Sequence, residues 1–179
     1  MSDTDQAWEP HATADAGYAL YRKERRVVAD DGTPIAYTFR NPDGPAVPVI
    51  FANGWSCSDA YWGKLLPELE RRGHPCLLPD TRGHGRSGLP RDPGRGARNL
   101  TIDDVSMNRI GRDLIAVLDD AGVDRAVVMG HSMGVQVALE AWRRHPDRVA
   151  GLVLVCGAPA HPLRTFHGAD TLEHLLPTI

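Results

Sequence analysis

Four short apolar runs punctuate this chain: "VPVIF" (47–51), "CLLP" (76–79), "AVVMG" (126–130) and "VAGLVLVC" (149–156). Continuous apolar runs of this length suit strands buried on both faces. Between them lie longer stretches of helical period. A helix is expected from Asp59, with Trp62, Leu65, Leu66 and Leu69 on one face and Gly73 as its stop. A second opens at Thr101-Ile102-Asp103-Asp104, which is similar to a capping box, carries Ile110, Leu114, Val117, Leu118 and Ala121, and ends at Gly122. A third spans 133–144, with Val135, Ala138, Leu139 and Trp142 facing the core. Strands alternating with helices imply an α/β fold: a mostly parallel sheet with helices on both faces, connected right-handedly. Ahead of it, "RVVADDGTPIAYTF" (26–39) reads as a hairpin turning at Asp31-Gly32, its second strand near 34–39.

Composition narrows the function classes. At 179 residues and 42% hydrophobic, the chain suffices for one globular domain. A net charge of −3 with both signs scattered gives no basic stripe for nucleic acid. Cys57, Cys76 and Cys156 stand far apart with no C-x-x-C pair, which points away from a disulfide framework and from a zinc site. No secretory signal pattern opens the chain and no run reaches membrane-spanning length, so a cytoplasmic protein without a membrane partner is expected. Residues 1–17 read as a flexible tail, and oligomeric state leaves no mark.

Special residues gather at three strand ends, where parallel sheets build their sites. "GHSMG" (130–134) sets Ser132 between an apolar strand and an amphipathic helix, with glycines two residues before and after. Such a turn holds the hydroxyl out and aims the first N–H groups of the helix at a bound acyl oxygen, which marks Ser132 as a candidate nucleophile. "FANGWSC" (51–57) places backbone donors near Asn53-Gly54-Trp55 after another strand. In "PDTRGHGRSG" (79–88), Asp80, Arg82 and the glycines read as a loop fixed by carboxylate-to-backbone hydrogen bonds. His131 reads as packing within the elbow, His84 as part of the Asp80 loop, and Trp142 as core.

"NGW", "DTRGHGRSG" and "GHSMG", in this order and spacing, together resemble the α/β-hydrolase family over residues from about 25 to 179. The resemblance implies Ser132 as catalytic nucleophile and the N–H groups of Trp55 and Met133 as oxyanion hole, with no metal or organic cofactor. Asn53 stands where relatives often carry His. Serine rather than aspartate at the nucleophile position argues against the dehalogenase and epoxide-hydrolase branches. The implied activity is esterase-like or lipase-like hydrolysis of a small carboxylic ester through an acyl-enzyme.

A serine hydroxyl needs a base, usually a histidine oriented by a carboxylate, and this fold orders them Ser, acid, His. After Ser132 the acids are Glu140, Asp147, Asp170 and Glu173, and the histidines His145, His161, His167 and His174. Glu140 lies on the helix leaving the elbow, and His145 and Asp147 precede a strand, at the far edge of the sheet. The rest fall in "GAPAHPLRTFHGADTLEHLLPTI", where the family begins a lid, and the position after the last strand reads Cys156-Gly157-Ala158-Pro159. The expectation is therefore a core over 18–157, a truncated lid over 158–179, and no triad acid or His in the chain. Two other classes stand beside it: a non-catalytic module holding an acyl or terpenoid ligand, and a half-enzyme completed by a second polypeptide.

Overall fold

The computed structural model describes residues 25–90 and 100–158. Six strands form one sheet in the order β1-β2-β4-β3-β5-β6. β1 (Arg25–Val28) and β2 (Pro34–Arg40) are the expected hairpin, and β2 also runs antiparallel to β4 (Cys76–Pro79). β4, β3 (Val49–Ala52), β5 (Ala126–His131) and β6 (Val149–Val155) are parallel. Ala52 pairs with Gly130, so the carboxyl ends of β3 and β5 are level.

Every residue of β3 is buried, and its side chains divide between two cores. Ile50 joins Leu77 and Val128 against α2 (Met107–Asp120) and α3 (Met133–Arg144). Val49 and Phe51 join Leu78 and Met129 on the other face, against Trp62 and against Leu66 at the start of α1 (Leu66–Arg71). Burial on both faces is what the unbroken apolar runs encode. The strand starts two residues later than expected because Pro48, which has no N–H, precedes it; its carbonyl still accepts from Val127 N at 2.8 Å.

The helix expected from Asp59 is divided into a 3-10 turn at Asp59–Trp62 and the short α1. Pro67 cannot donate back to Gly63, so it fits only the first turn of a new helix. The second helix also starts late. Asp104 Oδ2 accepts from the Thr101 N–H at 2.7 Å and its hydroxyl at 2.8 Å, but this box caps only a 3-10 turn at Ile102–Val105. Ser106 then turns extended and caps α2, accepting from Arg109 N at 3.2 Å. Of the residues expected to face the core, Val135 and Ala138 are buried, Leu139 is half-buried and Trp142 corrects the sequence reading: it is 50% exposed, and Gly134, Val137 and Ala141 complete the buried face. Small residues on that face let α3 approach α2 closely: a Cβ on Gly111 would meet the Ala141 backbone N at 3.3 Å.

Burial pushes the Cys76 thiol up to about 12. Burial, with the Asp120 carboxylate accepting from its hydroxyl, pushes Tyr37 up to about 12 as well. Both groups deprotonate earlier in the unfolded chain than in the folded one. The stability they contribute is complete below about pH 9 and is lost as pH rises toward 12, with a slope of up to about 1.4 kcal/mol per pH unit for each group. Urea midpoints measured at pH 8, 10 and 11 are expected to fall in that order; a constant midpoint would contradict the assignment.

Candidate active site

Ser132 occupies the turn between β5 and α3, exposed, with φ 54° and ψ −117°. This backbone conformation is rare for a residue with a side chain and is stabilised only where neighbours over-determine it. Here the neighbours are backbone. Ser132 N donates to Val155 O of β6 at 3.0 Å, and Val135 N donates to Ser132 O at 3.0 Å. The flanking glycines are required by space: a Cβ on Gly130 would lie 2.2 Å from Gly134 O, and one on Gly134 would lie 2.0 Å from Ala52 O. The elbow is thus pressed against the end of β3.

That contact brings the second strand end to the first. The site of a Cβ on Gly54 is 3.2 Å from Ser132 Cβ, so the loop carrying the Trp55 N–H borders the serine. Asn53, buried, fixes this loop from below. Its Oδ1 accepts from Trp62 Nε1 at 2.7 Å, and its Nδ2 donates to Asp59 Oδ1 at 3.2 Å. Trp55 itself is 70% exposed. His131 packs as expected: its ring stacks on Tyr61 with centroids 3.8 Å apart, and Trp62 meets it edge-on at 6.2 Å. Burial lowers its pKa, which keeps it neutral near pH 7.

The third strand end supports the site without joining it. Asp80 Oδ2 accepts from Arg86 N at 2.9 Å, the carboxylate-to-backbone bond expected of this loop. Arg82 goes further than the sequence reading. It is fully buried and donates two parallel bonds to Asp113 of α2, Nε to Oδ2 at 2.7 Å and Nη2 to Oδ1 at 2.6 Å. Its Nη1 reaches Asp31 Oδ2 and Asp104 O, each at 2.8 Å. Burial alone raises the Asp31 carboxyl, but hydrogen bonds from Arg82 and Thr33 outweigh it and hold Asp31 at about 2. Asp113 has a signal in the sequence, an acid at helical spacing from Ile110 and Val117 and beside Leu114.

Of the triad candidates after Ser132, Glu140 is bound to Arg143 and Arg144. His145 and Asp147 stand at the amino end of β6, opposite the serine. Asp170, Glu173, His161, His167 and His174 lie outside the described residues, as does most of the expected lid over 158–179. Among the described residues no cluster of His, Cys, Asp or Glu is arranged to hold a metal ion, and no helix is long and apolar enough to cross a membrane.

The family model for the alpha/beta hydrolase fold matches residues 47–176. The chain belongs to the α/β-hydrolase family. Among curated relatives it is 36% identical over 137 residues to epoxide hydrolase A of Mycobacterium tuberculosis, covering 76% of this chain and 39% of that one. It is 35% identical over 148 residues to the non-heme chloroperoxidase of Streptomyces lividans (82% and 49%). It is 35% identical over 123 residues to a putative carbamate hydrolase, RutD, of Variovorax paradoxus (68% and 42%). Among solved structures, epoxide hydrolase A of Mycobacterium thermoresistibile superimposes with a TM-score of 0.64 at 26% identity, over 84% of this chain and 44% of that one. A hydrolase from Pseudomonas aeruginosa gives 0.62 at 28% identity, over 78% and 48%. The chain therefore spans less than half the length of these α/β-hydrolase relatives.

Proposed function

We propose that this α/β-hydrolase is a serine hydrolase acting on small carboxylic esters, with Ser132 as nucleophile and the N–H groups of Trp55 and Met133 as oxyanion hole. The observation that carries the reading is the exposed Ser132 at φ 54°, at the head of α3 and against the Gly54 loop. A hydroxyl placed there adds to a carbonyl, and the developing oxyanion meets donors from two separate strand ends, each worth about 2.7 to 4 kcal/mol of barrier. The ester C–O bond then breaks, the alcohol leaves with the proton that the serine gave up, and water hydrolyses the acyl-serine to the acid and the free hydroxyl. Three close relatives carry three different activities in their names, so family membership alone does not choose among them. Serine at the elbow favours acyl chemistry over epoxide opening, and the carbamate hydrolase relative is the one whose name fits an acyl substrate.

No described histidine stands beside an acid at Ser132, so the 179-residue chain is expected to turn over slowly, as part of a longer enzyme or as one half of a two-chain site. A p-nitrophenyl acetate assay tests this. Release of p-nitrophenol is expected to be weak and to disappear in Ser132→Ala. Turnover at the rate of an intact hydrolase would mean that the chain holds its own base. Ligand binding with no Ser132-dependent release would favour the binding-module reading.

A further inference from the structure

The ladder between β3 and β5 ends at the pair Ala52–Gly130, and both proposed oxyanion donors, the N–H groups of Trp55 and Met133, lie three residues beyond it. The ladder alone therefore does not set their separation. On the β3 side, Gly54 has no side chain and Trp55 is exposed, so neither anchors the peptide that carries the Trp55 N–H. On the β5 side, His131 Nδ1 is buried with no hydrogen-bond partner among the described residues, so packing holds the ring. The 3-10 turn at Asp59–Trp62 touches both sides. Trp62 Nε1 donates to Asn53 Oδ1 at 2.7 Å, and the adjacent Tyr61 stacks on His131 at 3.8 Å with the ring planes 23° apart. The two rings brace each other edge-on at 4.8 Å, and the buried Trp62 rests on Phe51 of β3 at 4.9 Å.

We propose that Tyr61 and Trp62 are positioning residues that set the separation of the two oxyanion donors: Trp62 grips the β3 loop through Asn53, and Tyr61 grips the elbow through His131. The proposal rests on Ser132 being the nucleophile, since only then does an oxyanion form between the donors. In this role neither side chain touches the reacting atoms. A donor displaced by on the order of 1 Å loses most of its bond to the oxyanion while the serine stays exposed.

Labelling of Ser132 by an alkyl fluorophosphonate, compared with labelling by the analogue carrying P=S in place of P=O, tests the clamp. With each reagent the Ser132 Oγ–P bond forms, the P–F bond breaks and the serine proton passes to water. Sulfur is larger than oxygen and accepts hydrogen bonds weakly, so the ratio of the two rates reads the donors, while access to the serine cancels. The ratio is expected to fall about 10-fold in Trp62→Phe, which keeps a ring and loses the N–H, and in Tyr61→Ala; deleting a donor outright costs about 10²- to 10³-fold. Tyr61→Phe keeps the stack and is expected to hold the parent ratio. Tyr61 is 47% exposed, so Tyr61→Ala is expected to fold even where Trp62→Phe does not. A parent-like ratio in both variants, with Ser132 still labelled, would overturn the clamp and leave the nucleophile intact. Amide hydrogen exchange needs no serine chemistry. Exchange is expected to quicken over 53–57 in Trp62→Phe and over 131–134 in Tyr61→Ala, with α2 unchanged. Parent-like exchange in both segments would overturn the clamp even where Ser132 takes no label.

Discussion

Arg82→Met is expected to cost about 3 to 5 kcal/mol of folding stability, because it removes one partner of a buried ion pair. The guanidinium is wholly buried, and its removal strands the Asp113 carboxylate, itself 3% exposed, inside the apolar packing of α2. It also releases Asp31, which ties the β1–β2 turn to the same cation, and removes the bond that Arg82 Nη1 donates to Asp104 O. The methionine fills most of the vacated volume, so the loss measures orphaned charge rather than a cavity. A drop in melting temperature on the order of 10 °C is expected. Arg82→Met/Asp113→Leu is expected to recover a large part of it, because the stranded acid is then gone. A double variant no more stable than the single one would show that the arginine acts chiefly through Asp31 and the Asp104 carbonyl.

Gly134→Ala is expected to abolish function at the elbow and to destabilise the fold by several kcal/mol. The added methyl would stand 2.0 Å from Ala52 O and 3.0 Å from Asn53 O, both backbone atoms of the central strand and its exit. Neither side can yield cheaply, since Ala52 is paired in register with Gly130 and Asn53 is bound to Trp62 and Asp59. α3 must therefore lift away from β3, and with it the φ 54° conformation of Ser132 and its spacing from the Gly54 loop. Gly122→Ala offers a contrast at the end of α2. Its φ is +69° but nothing lies within 4 Å, so it is expected to cost only about 1 kcal/mol and to leave Ser132 unaffected. Thermal melts with fluorophosphonate labelling separate the two: reactivity is expected to be lost in the first and kept in the second.

Much of this architecture is legible in the sequence because its signals are local. β4 matches the run "CLLP" residue for residue, and α3 begins and ends where its period does, since an apolar strand and an amphipathic helix each announce themselves over a few residues. The elbow is legible for the same reason: the glycines at 130 and 134 and the serine between them express one steric requirement within five positions. Long-range packing is where the reading falls short. Trp142 has the helical spacing of a core residue, yet it stands exposed, because which part of an apolar stripe is buried depends on the element that α3 packs against. The Arg82–Asp113 pair joins residues 31 apart, and the His131–Tyr61 stack joins residues on β5 and on the 3-10 turn after β3. Neither partner names the other in the sequence, although an acid within the apolar stripe of α2 already asks for a buried cation.

Ser132 as acyl acceptor is tested most directly by trapping the acyl group on the protein. After incubation with p-nitrophenyl acetate and an acid quench, peptide mass analysis is expected to find one acetyl group on the peptide carrying Ser132 and none there in Ser132→Ala. An unmodified Ser132 peptide, or an acetyl group found only elsewhere, as on Cys57, would contradict the assignment of Ser132 as nucleophile.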